Sequence, residues 1–284
     1  MINVAAPGLY SSIQDLGRFG YRALGVPVGG AMDAVSAKHA NALLGNPPGC
    51  AVLECTALGP TLEFSRPALL AFSGAGFELK LNGRGLSTAT PFMVESGTAL
   101  KIGTAKQGMR GYLAVLGGFT SETALGSQSW YEGVTVKKML QKNDRLFFGT
   151  PKEKPQGTTG LRRILKKIPP IKKTAVGYKK DTIEVYPGPE FYMLPEKSKA
   201  VLLGAAFTIL PQSNRMGYYL ETTTVVGAAG IITAPVQPGT VQLTPSGKVI
   251  ALMRDAQTTG GYSRIFQLSE RAICVLSQKR GGAG

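Results

Sequence analysis

The chain has 284 residues, of which 43% are hydrophobic, and carries a formal net charge of +15. This length suffices for one large or two modest domains, and the apolar content excludes a disordered chain. No apolar stretch approaches the roughly 20 residues of a bilayer-spanning helix, and the N-terminal sequence lacks the pattern of a secretory signal. We therefore expect a cytoplasmic protein that does not associate with membranes.

The scarce residues exclude further classes of site. His39 is the only histidine, so a histidine-rich metal centre cannot form within one chain. Cys50, Cys55 and Cys274 have no CxxC spacing and are odd in number, which favours reduced thiols over a zinc cluster or a disulfide framework. We expect no metal site, and His39 is predicted to have a structural or surface role.

The predicted elements of the N-terminal part are one helix and several short strands. Asp33 can cap a helix over residues 34–44, which Gly45-Asn46-Pro47 would end. A GxG fragment at residues 74–76 is predicted to be a hairpin turn. The predicted strands are short, β-rich and separated by turn residues: 51–58, 69–72, 77–81, 99–102 and 112–116.

Residues 152–180 carry most of the excess positive charge. This stretch has ten basic residues and one acidic residue, a net charge of +9, together with three prolines, Pro155, Pro169 and Pro170. We predict an interdomain linker here. Docking of an acidic partner protein and binding of nucleic acid are alternatives, but one aromatic residue, Tyr178, gives little basis for reading bases. We expect no nucleic-acid partner.

The strand pattern resumes after this segment, and the sequence therefore predicts two domains, residues 1–151 and 181–284, around the linker 152–180. The predicted strands of the second part are 182–186, 201–203, 207–210, 240–243, 249–253 and 265–268.

Three clusters of polar residues are candidates for chemistry. Residues 14–33 combine closely spaced glycines with Asp15, Asp33 and Arg18, and glycine lets backbone N–H groups approach a ligand while an arginine matches a carboxylate or phosphate. Residues 213–218 form the second cluster, and residues 254–262 follow a predicted strand as the third. Structural ion pairs, a helix cap and a self-satisfied turn are the competing interpretations. The chain has no GxxxxGK[ST] phosphate loop and no GxSxG motif.

Six motifs in order carry a resemblance to a known family: PGLYSSIQDLGRFGYRALGVPVGGAMD, VLECTALGPTLEF, GMRGYLAVLGGF, VYPGP, SNRMGYYL and RDAQTTGGYSRI. They resemble the biotin-dependent carboxyltransferase-like family. It includes the C subunit of bacterial ATP-dependent 5-oxoprolinase, an antagonist of a sporulation-kinase inhibitor, and the carboxyltransferase portion of urea carboxylase. The resemblance implies a mainly β protein with two cyclophilin-like β-barrel domains and a few short helices.

The resemblance also implies a set of site residues, for which the N- and C-terminal motifs would have to converge. Four are expected to act catalytically: Asp15, Arg18, Arg215 and Asp255. The expected substrate-binding residues are Gln14, Gly17, Gly30, Asp33, Met216, Gln242, Gln257, Thr258, Thr259, Gly260 and Tyr262. Two departures from the usual motifs, Gln128 for arginine and Asn214 for aspartate, each change the charge near these positions.

The expected function is that of one subunit of a multi-protein 5-oxoprolinase, active with two other subunits on a lactam substrate and with an ATP site shared among them. The first alternative is the carboxyltransferase of a biotin-dependent urea or amide carboxylase, for which biotin would be required, although this chain has no carrier domain. The second alternative is a non-catalytic regulator that binds a kinase-inhibitor protein.

Overall fold

The computed structural model describes residues 1–149, 157–167, 182–222 and 227–282. The chain divides into two compact units, the first formed by residues 1–17 and 33–176 and the second by residues 18–32 and 177–284. Residues 18–32 therefore belong to the second unit, although their position in the sequence predicts that they belong to the N-terminal domain.

Within the described residues, the first unit has ten strands and two helices. They are β1 (Ile2–Ala6), β2 (Tyr10–Gln14), α1 (Ala34–Ala42), β3 (Val52–Thr56), β4 (Thr61–Phe64), β5 (Ala68–Leu81), β6 (Arg84–Leu86), β7 (Phe92–Val94), β8 (Ala99–Val115), β9 (Phe119–Thr120), β10 (Arg145–Phe148) and α2 (Gly157–Lys167). The strands form one antiparallel sheet in the order β2-β3-β8-β4-β1-β10-β9, and β5 pairs with β6, β7 and β8. The sheet is a nearly closed barrel.

The second unit has eight strands and two α-helices among its described residues. They are β11 (Val185–Pro187), α3 (Glu196–Gly204), β12 (Thr208–Ile209), β13 (Gly217–Glu221), β14 (Ala234–Pro235), β15 (Thr240–Leu243), β16 (Val249–Leu252), β17 (Thr259–Gly260), β18 (Ser263–Leu268) and α4 (Glu270–Ser277); short 3-10 helices occupy Arg22–Leu24 and Phe191–Met193. Six strands form an antiparallel sheet in the order β11-β18-β15-β16-β13-β12, and β14 pairs with β17.

The prediction of a mainly β protein with few helices is confirmed. The predicted helix cap is confirmed as well, because the Asp33 side chain accepts a hydrogen bond from the Ser36 N–H at 3.0 Å. The predicted strand at 201–203 is wrong: these residues lie in α3. A run of three apolar residues does not distinguish a strand from a helix.

The predicted hairpin turn at residues 74–76 is also wrong. Gly74 and Gly76 lie inside β5, where the register against β8 shifts. The predicted strands 69–72 and 77–81 are therefore parts of one strand, β5, and the predicted strands 99–102 and 112–116 fall largely in one strand, β8. Gly74 has a φ of +97°, a conformation that favours glycine, and the shift bends the strand without ending it.

The core of the first unit lies on one face of this bent sheet. Ile13, Leu53, Phe72 and Leu113 are fully or almost fully buried in it. Residues 68–73 of β5 are buried without alternation because α1 packs on the opposite side of β5 and β8. The second unit has its own apolar core, which includes Leu243, Met253 and Ile265, and Met32 from the 18–32 segment.

The proposed domain boundaries stay a prediction. Most of the predicted linker lies outside the described residues; within it, residues 157–167 form α2, which belongs to the first unit. The three cysteines are free thiols, with Cys55 and Cys274 buried. None of the described helices has a stretch long and apolar enough for a membrane span.

We expect Gly111→Ala to destabilise the first unit. A Cβ atom at Gly111 in β8 would lie 2.2 Å from the Phe72 ring and 2.9 Å from the Phe77 ring, both in β5, so these two rings must shift. Overpacking of this kind costs about 1–3 kcal/mol of unfolding free energy, measurable by urea denaturation. Gly85→Ala is the matched control, because its Cβ meets no atom within 4 Å; an equal loss in both variants would contradict this account.

Candidate active site

The segment 18–32 is held in the second unit by main-chain and side-chain hydrogen bonds. Gly29 N–H donates to the Arg254 carbonyl at 2.9 Å, and Arg22 Nη2 donates to the Val236 carbonyl. Gly29 and Gly30 have φ values of +65° and +88°, a left-handed turn that favours glycine at both positions. The glycine-rich motif and the loop after β16 therefore meet in this unit.

A buried ion pair connects these segments with the SNRMG motif. Arg215 Nε donates to Asp255 Oδ2 at 2.7 Å, and Arg215 Nη2 donates to Asp255 Oδ1 at 2.9 Å. The same Nη2 donates to the Gly30 carbonyl at 2.7 Å. Both side chains are more than nine-tenths buried, and the bidentate geometry fixes the plane of the guanidinium group.

A second ion pair lies next to the first along the chain. Arg254 donates through Nη1 and Nη2 to the two carboxylate oxygens of Glu270, at 3.1 and 2.6 Å. Glu270 opens α4, whose Ser269 side chain caps the helix by accepting from the Ala272 N–H. The sequence analysis did not predict this pair. The available signal was Ser269-Glu270, a serine followed by an acidic residue, which is typical of the start of a helix.

The loop that follows Asp255 presents polar groups at the surface. Gln257 and Thr259 are exposed, and Tyr262 is 43% exposed. Behind them Gln242 is buried, with Nε2 3.4 Å from the Tyr262 carbonyl oxygen to which it donates. A Cβ atom at Gly260 would lie 2.6 Å from that amide nitrogen, so a larger residue here would displace the Gln242 amide.

Met216 and Asn214 occupy the turn before β13. Met216 is 48% exposed, and its N–H donates to Asn214 Oδ1 at 2.8 Å. An asparagine oxygen accepts this bond as an aspartate oxygen would, so the departure at Asn214 removes a charge but retains the turn.

In the first unit, Asp15 directly follows β2 and binds the loop at residues 127–129. Its carboxylate accepts from Gly17 N, Ser127 Oγ, Gln128 N and Ser129 Oγ at 2.6 to 2.8 Å. The neighbouring Gln14 is buried and donates to Ser12 Oγ and to the Trp130 carbonyl. Gln128, which replaces the usual arginine of the motif, has a contact within this unit: its Oε1 accepts a hydrogen bond from the Ser121 N–H at 2.8 Å.

Asp33 adjoins a buried polar layer on β3 and β8 that sequence analysis missed. Its N–H donates to Tyr112 Oη at 2.7 Å, and Tyr112 donates to Glu54 Oε2 at 2.9 Å. Burial first, and then the Glu54 and Asp33 carboxylates, raise the pKa of Tyr112 well above its usual value, so the phenol stays protonated and donates. Glu54 lies directly opposite Tyr112 in the pairing of β3 with β8. This contact can be predicted only when the register of the two strands is known, and the sequence alone does not give that register.

The predicted site residues therefore fall into two groups. The second unit holds Arg18, Gly30, Arg215, Met216, Gln242, Asp255, Gln257, Thr258, Thr259, Gly260 and Tyr262. The first unit holds Gln14, Asp15, Gly17 and Asp33. Of the residues in the second unit, hydrogen bonds join Gly30, Arg215 and Asp255 directly, and Arg18 is buried, with its N–H donating to the Val28 carbonyl. The described residues contain no group of three or more histidine, cysteine or acidic side chains placed to hold a metal.

Comparison with known proteins places this arrangement in a family. The family described as "Carboxyltransferase domain, subdomain A and B" matches residues 24–284, which include the Gly30–Arg215–Asp255 cluster. The chain belongs to this family. Similar curated proteins include the 5-oxoprolinase C subunits of two bacteria. That of Haemophilus influenzae is 33% identical over 100% of this chain and 89% of that protein, and that of Escherichia coli is 31% identical over 98% of this chain and 87% of that protein.

Solved structures of larger proteins contain the same fold. The chain matches TTHA0988 with a TM-score of 0.84 and 29% identity, covering 99% of this chain and 54% of that one. It matches the Kluyveromyces lactis urea amidolyase with a TM-score of 0.81 and 25% identity, covering 99% of this chain and 18% of that one. The chain thus spans about half, or less, of the solved chains that it resembles.

We expect Asp255→Ala to destabilise the second unit severely. Removing the carboxylate leaves the Arg215 charge buried without its ion-pair partner, which costs about 3–5 kcal/mol of unfolding free energy. The double variant Arg215→Met/Asp255→Leu should lose less, because no buried charge remains.

Glu132→Ala is the control in the same denaturation experiment. It breaks the exposed ion pair with Lys138, for which we expect a loss below about 1 kcal/mol. Equal losses for Asp255→Ala and Glu132→Ala would contradict a structural role for the buried pair.

Proposed function

We propose that this chain is one subunit of an ATP-dependent 5-oxoprolinase that converts 5-oxo-L-proline, ATP and water into L-glutamate, ADP and phosphate. The observation that carries the proposal is the extent of the similarity to the two 5-oxoprolinase C subunits, which covers nearly all of this chain and 87–89% of those relatives. The ring opening is a lactam hydrolysis, and two companion subunits would complete the enzyme in the cytoplasm.

The chemistry of the reaction explains why ATP is consumed. A resonance-stabilised lactam hydrolyses slowly, and phosphorylation of its carbonyl oxygen makes the carbonyl carbon electrophilic. The negative charge that develops on oxygen then requires donors fixed in advance. In this chain the exposed hydroxyl and amide groups of Gln257, Thr259 and Tyr262 are suited to orient the lactam, with Gln242 and Thr258 behind them.

The hydrogen bonds of the two candidate acids favour an orienting role for both. Asp255 accepts from Arg215 through both oxygens, and Asp15 accepts from four donors. The oxygens of both carboxylates are thus used in hydrogen bonds within the chain, which fix the positions of their partners. We therefore assign to Asp255 the orientation of Arg215, to Asp15 the orientation of the 127–129 loop, and the transfer of the proton to a group on one of the companion proteins.

The pairing of arginines with carboxylates within the chain also bears on where ATP binds. Triphosphate binding requires donors that the protein does not already use, and the guanidinium groups of Arg215 and Arg254 are each bound by a carboxylate. These two arginines therefore fit an auxiliary contact with phosphate better than the main contacts of a nucleotide site. We propose that the companion subunits supply the principal ATP contacts.

A second function is favoured by one observation. The K. lactis urea amidolyase contains this fold, as the TM-score of 0.81 indicates, and the family is described as a carboxyltransferase domain. Transfer of a carboxyl group from carboxybiotin to a urea-like amide is therefore the alternative. It requires a biotinylated carrier protein as the carboxyl donor.

Reconstitution distinguishes the two functions. We expect glutamate to form from 5-oxo-L-proline only when this chain, both companion subunits and ATP are present; equal output without this chain would contradict the proposal. Carboxylation of urea by this chain with a carboxylated biotin carrier, and no glutamate formation, would establish the alternative.

A substitution in the exposed loop tests its contact with the substrate. Thr259→Ala removes a neutral hydrogen-bonding group, and we expect the KM for 5-oxo-L-proline to rise about 2- to 10-fold, as the loss of one such bond predicts. Thr104→Ala, at an exposed position in the first unit, is the matched control and should leave KM unchanged. An unchanged KM in both variants would place the substrate elsewhere.

A further inference from the structure

Helix α2 presents a cationic face to solvent. Arg162, Arg163, Lys166 and Lys167 are all exposed. At 3.6 residues per turn, these positions fall on one side of the helix, within an arc of about 140°. The helix lies in the most basic segment of the chain, residues 152–180, which carry +9 of the net charge of +15.

The opposite face of α2 is already used within the first unit. Leu161 is buried, Ile164 and Leu165 are half-buried, and the helix packs on β5. An amphipathic helix that binds a lipid surface inserts its apolar face. Because that face of α2 is packed against protein, the cationic face is the one available to a partner.

The cationic face places like charges close together on the helix. Arg162, Arg163 and Lys166 form no salt bridge with any residue in the described ranges. Arg162 and Lys166 are like charges four positions apart, an arrangement that destabilises a helix. A surface that supplies carboxylates would remove this repulsion.

The composition of α2 favours a protein over a nucleic acid. Its sequence, GTTGLRRILKK, contains no aromatic residue on which a base could stack. Four cations on about one and a half helical turns match a compact cluster of carboxylates on a folded surface.

We infer that the cationic face of α2, formed by Arg162, Arg163, Lys166 and Lys167, is the docking surface for a carboxylate-rich face of a companion protein in the complex. The identity of that partner rests on the proposed function. Charge pairs at the edge of an interface act mainly on the rate of association, so this surface would steer assembly of the complex.

Charge reversal tests the inference in the full chain. The variant Arg162→Glu/Arg163→Glu/Lys166→Glu/Lys167→Glu is compared with Lys80→Glu/Arg84→Glu/Lys101→Glu/Lys142→Glu, which changes the net charge equally at exposed positions elsewhere in the first unit. Association with each purified companion subunit is measured by surface plasmon resonance at low and high salt.

We expect the α2 variant to associate at least about tenfold more slowly at low salt, and high salt to slow the wild type toward the same rate. The control variant should keep most of the wild-type rate. Because glutamates in the last helical turn oppose the helix dipole, a variant with glutamine at the same four positions separates loss of charge from loss of the helix. It should show a smaller decrease in the same direction, with an unchanged circular dichroism spectrum.

Equal association rates for the α2 and control variants would overturn the inference, as would failure of the wild type to bind either companion. Tighter binding of the wild type to a fluorescent DNA duplex than to the companions, lost in the α2 variant, would overturn it in favour of nucleic acid. Charge-dependent docking without any glutamate formation would leave the inference standing and refute the proposed function.

Discussion

The ion pair between Arg215 and Asp255 is the interaction on which the candidate site depends. It joins the turn before β13 to the loop after β16, and through the Gly30 carbonyl it also binds a segment nearly 200 positions earlier in the chain. A buried pair of this kind gains little over an apolar pair of equal volume, because both charges lose their hydration. Its value here is geometric: three distant segments are fixed in one unit.

The same principle accounts for the remaining polar contacts around the candidate residues. Arg254 is bound by Glu270, Asp15 by four donors, and Tyr112 by Glu54 and the Asp33 N–H. These three side chains are thus paired within the chain, while the exposed loop at 257–262 retains groups that can bind a ligand. This division between rigid support and exposed donors is consistent with a chain that contributes part of an active site.

Local signals predict the local features. The mainly β character follows from the strand pattern, and the Asp33 cap and α1 follow from capping chemistry. The glycines at 74 and 76 resemble a turn in the sequence because a bulge within one long strand depends on pairing with β8, where Gly74 lies opposite Gly111 and Gly76 opposite Gln107. Two further features also depend on tertiary contacts and cannot be derived from the sequence. They are the assignment of residues 18–32 to the second unit and the contact between Glu54 and Tyr112 in the buried polar layer. The motif resemblance gives the family, which the comparisons confirm.

Amide hydrogen exchange at Gly29 tests the central claim most directly. If Arg215 and Asp255 hold the 18–32 segment in place, the conservative variant Asp255→Asn should speed exchange of the Gly29 N–H, which donates to the Arg254 carbonyl, while amides at the centre of β5 keep their wild-type protection. Unchanged protection at Gly29, with the ion pair removed and the fold intact, would show that the segment is held by other contacts and would contradict the account.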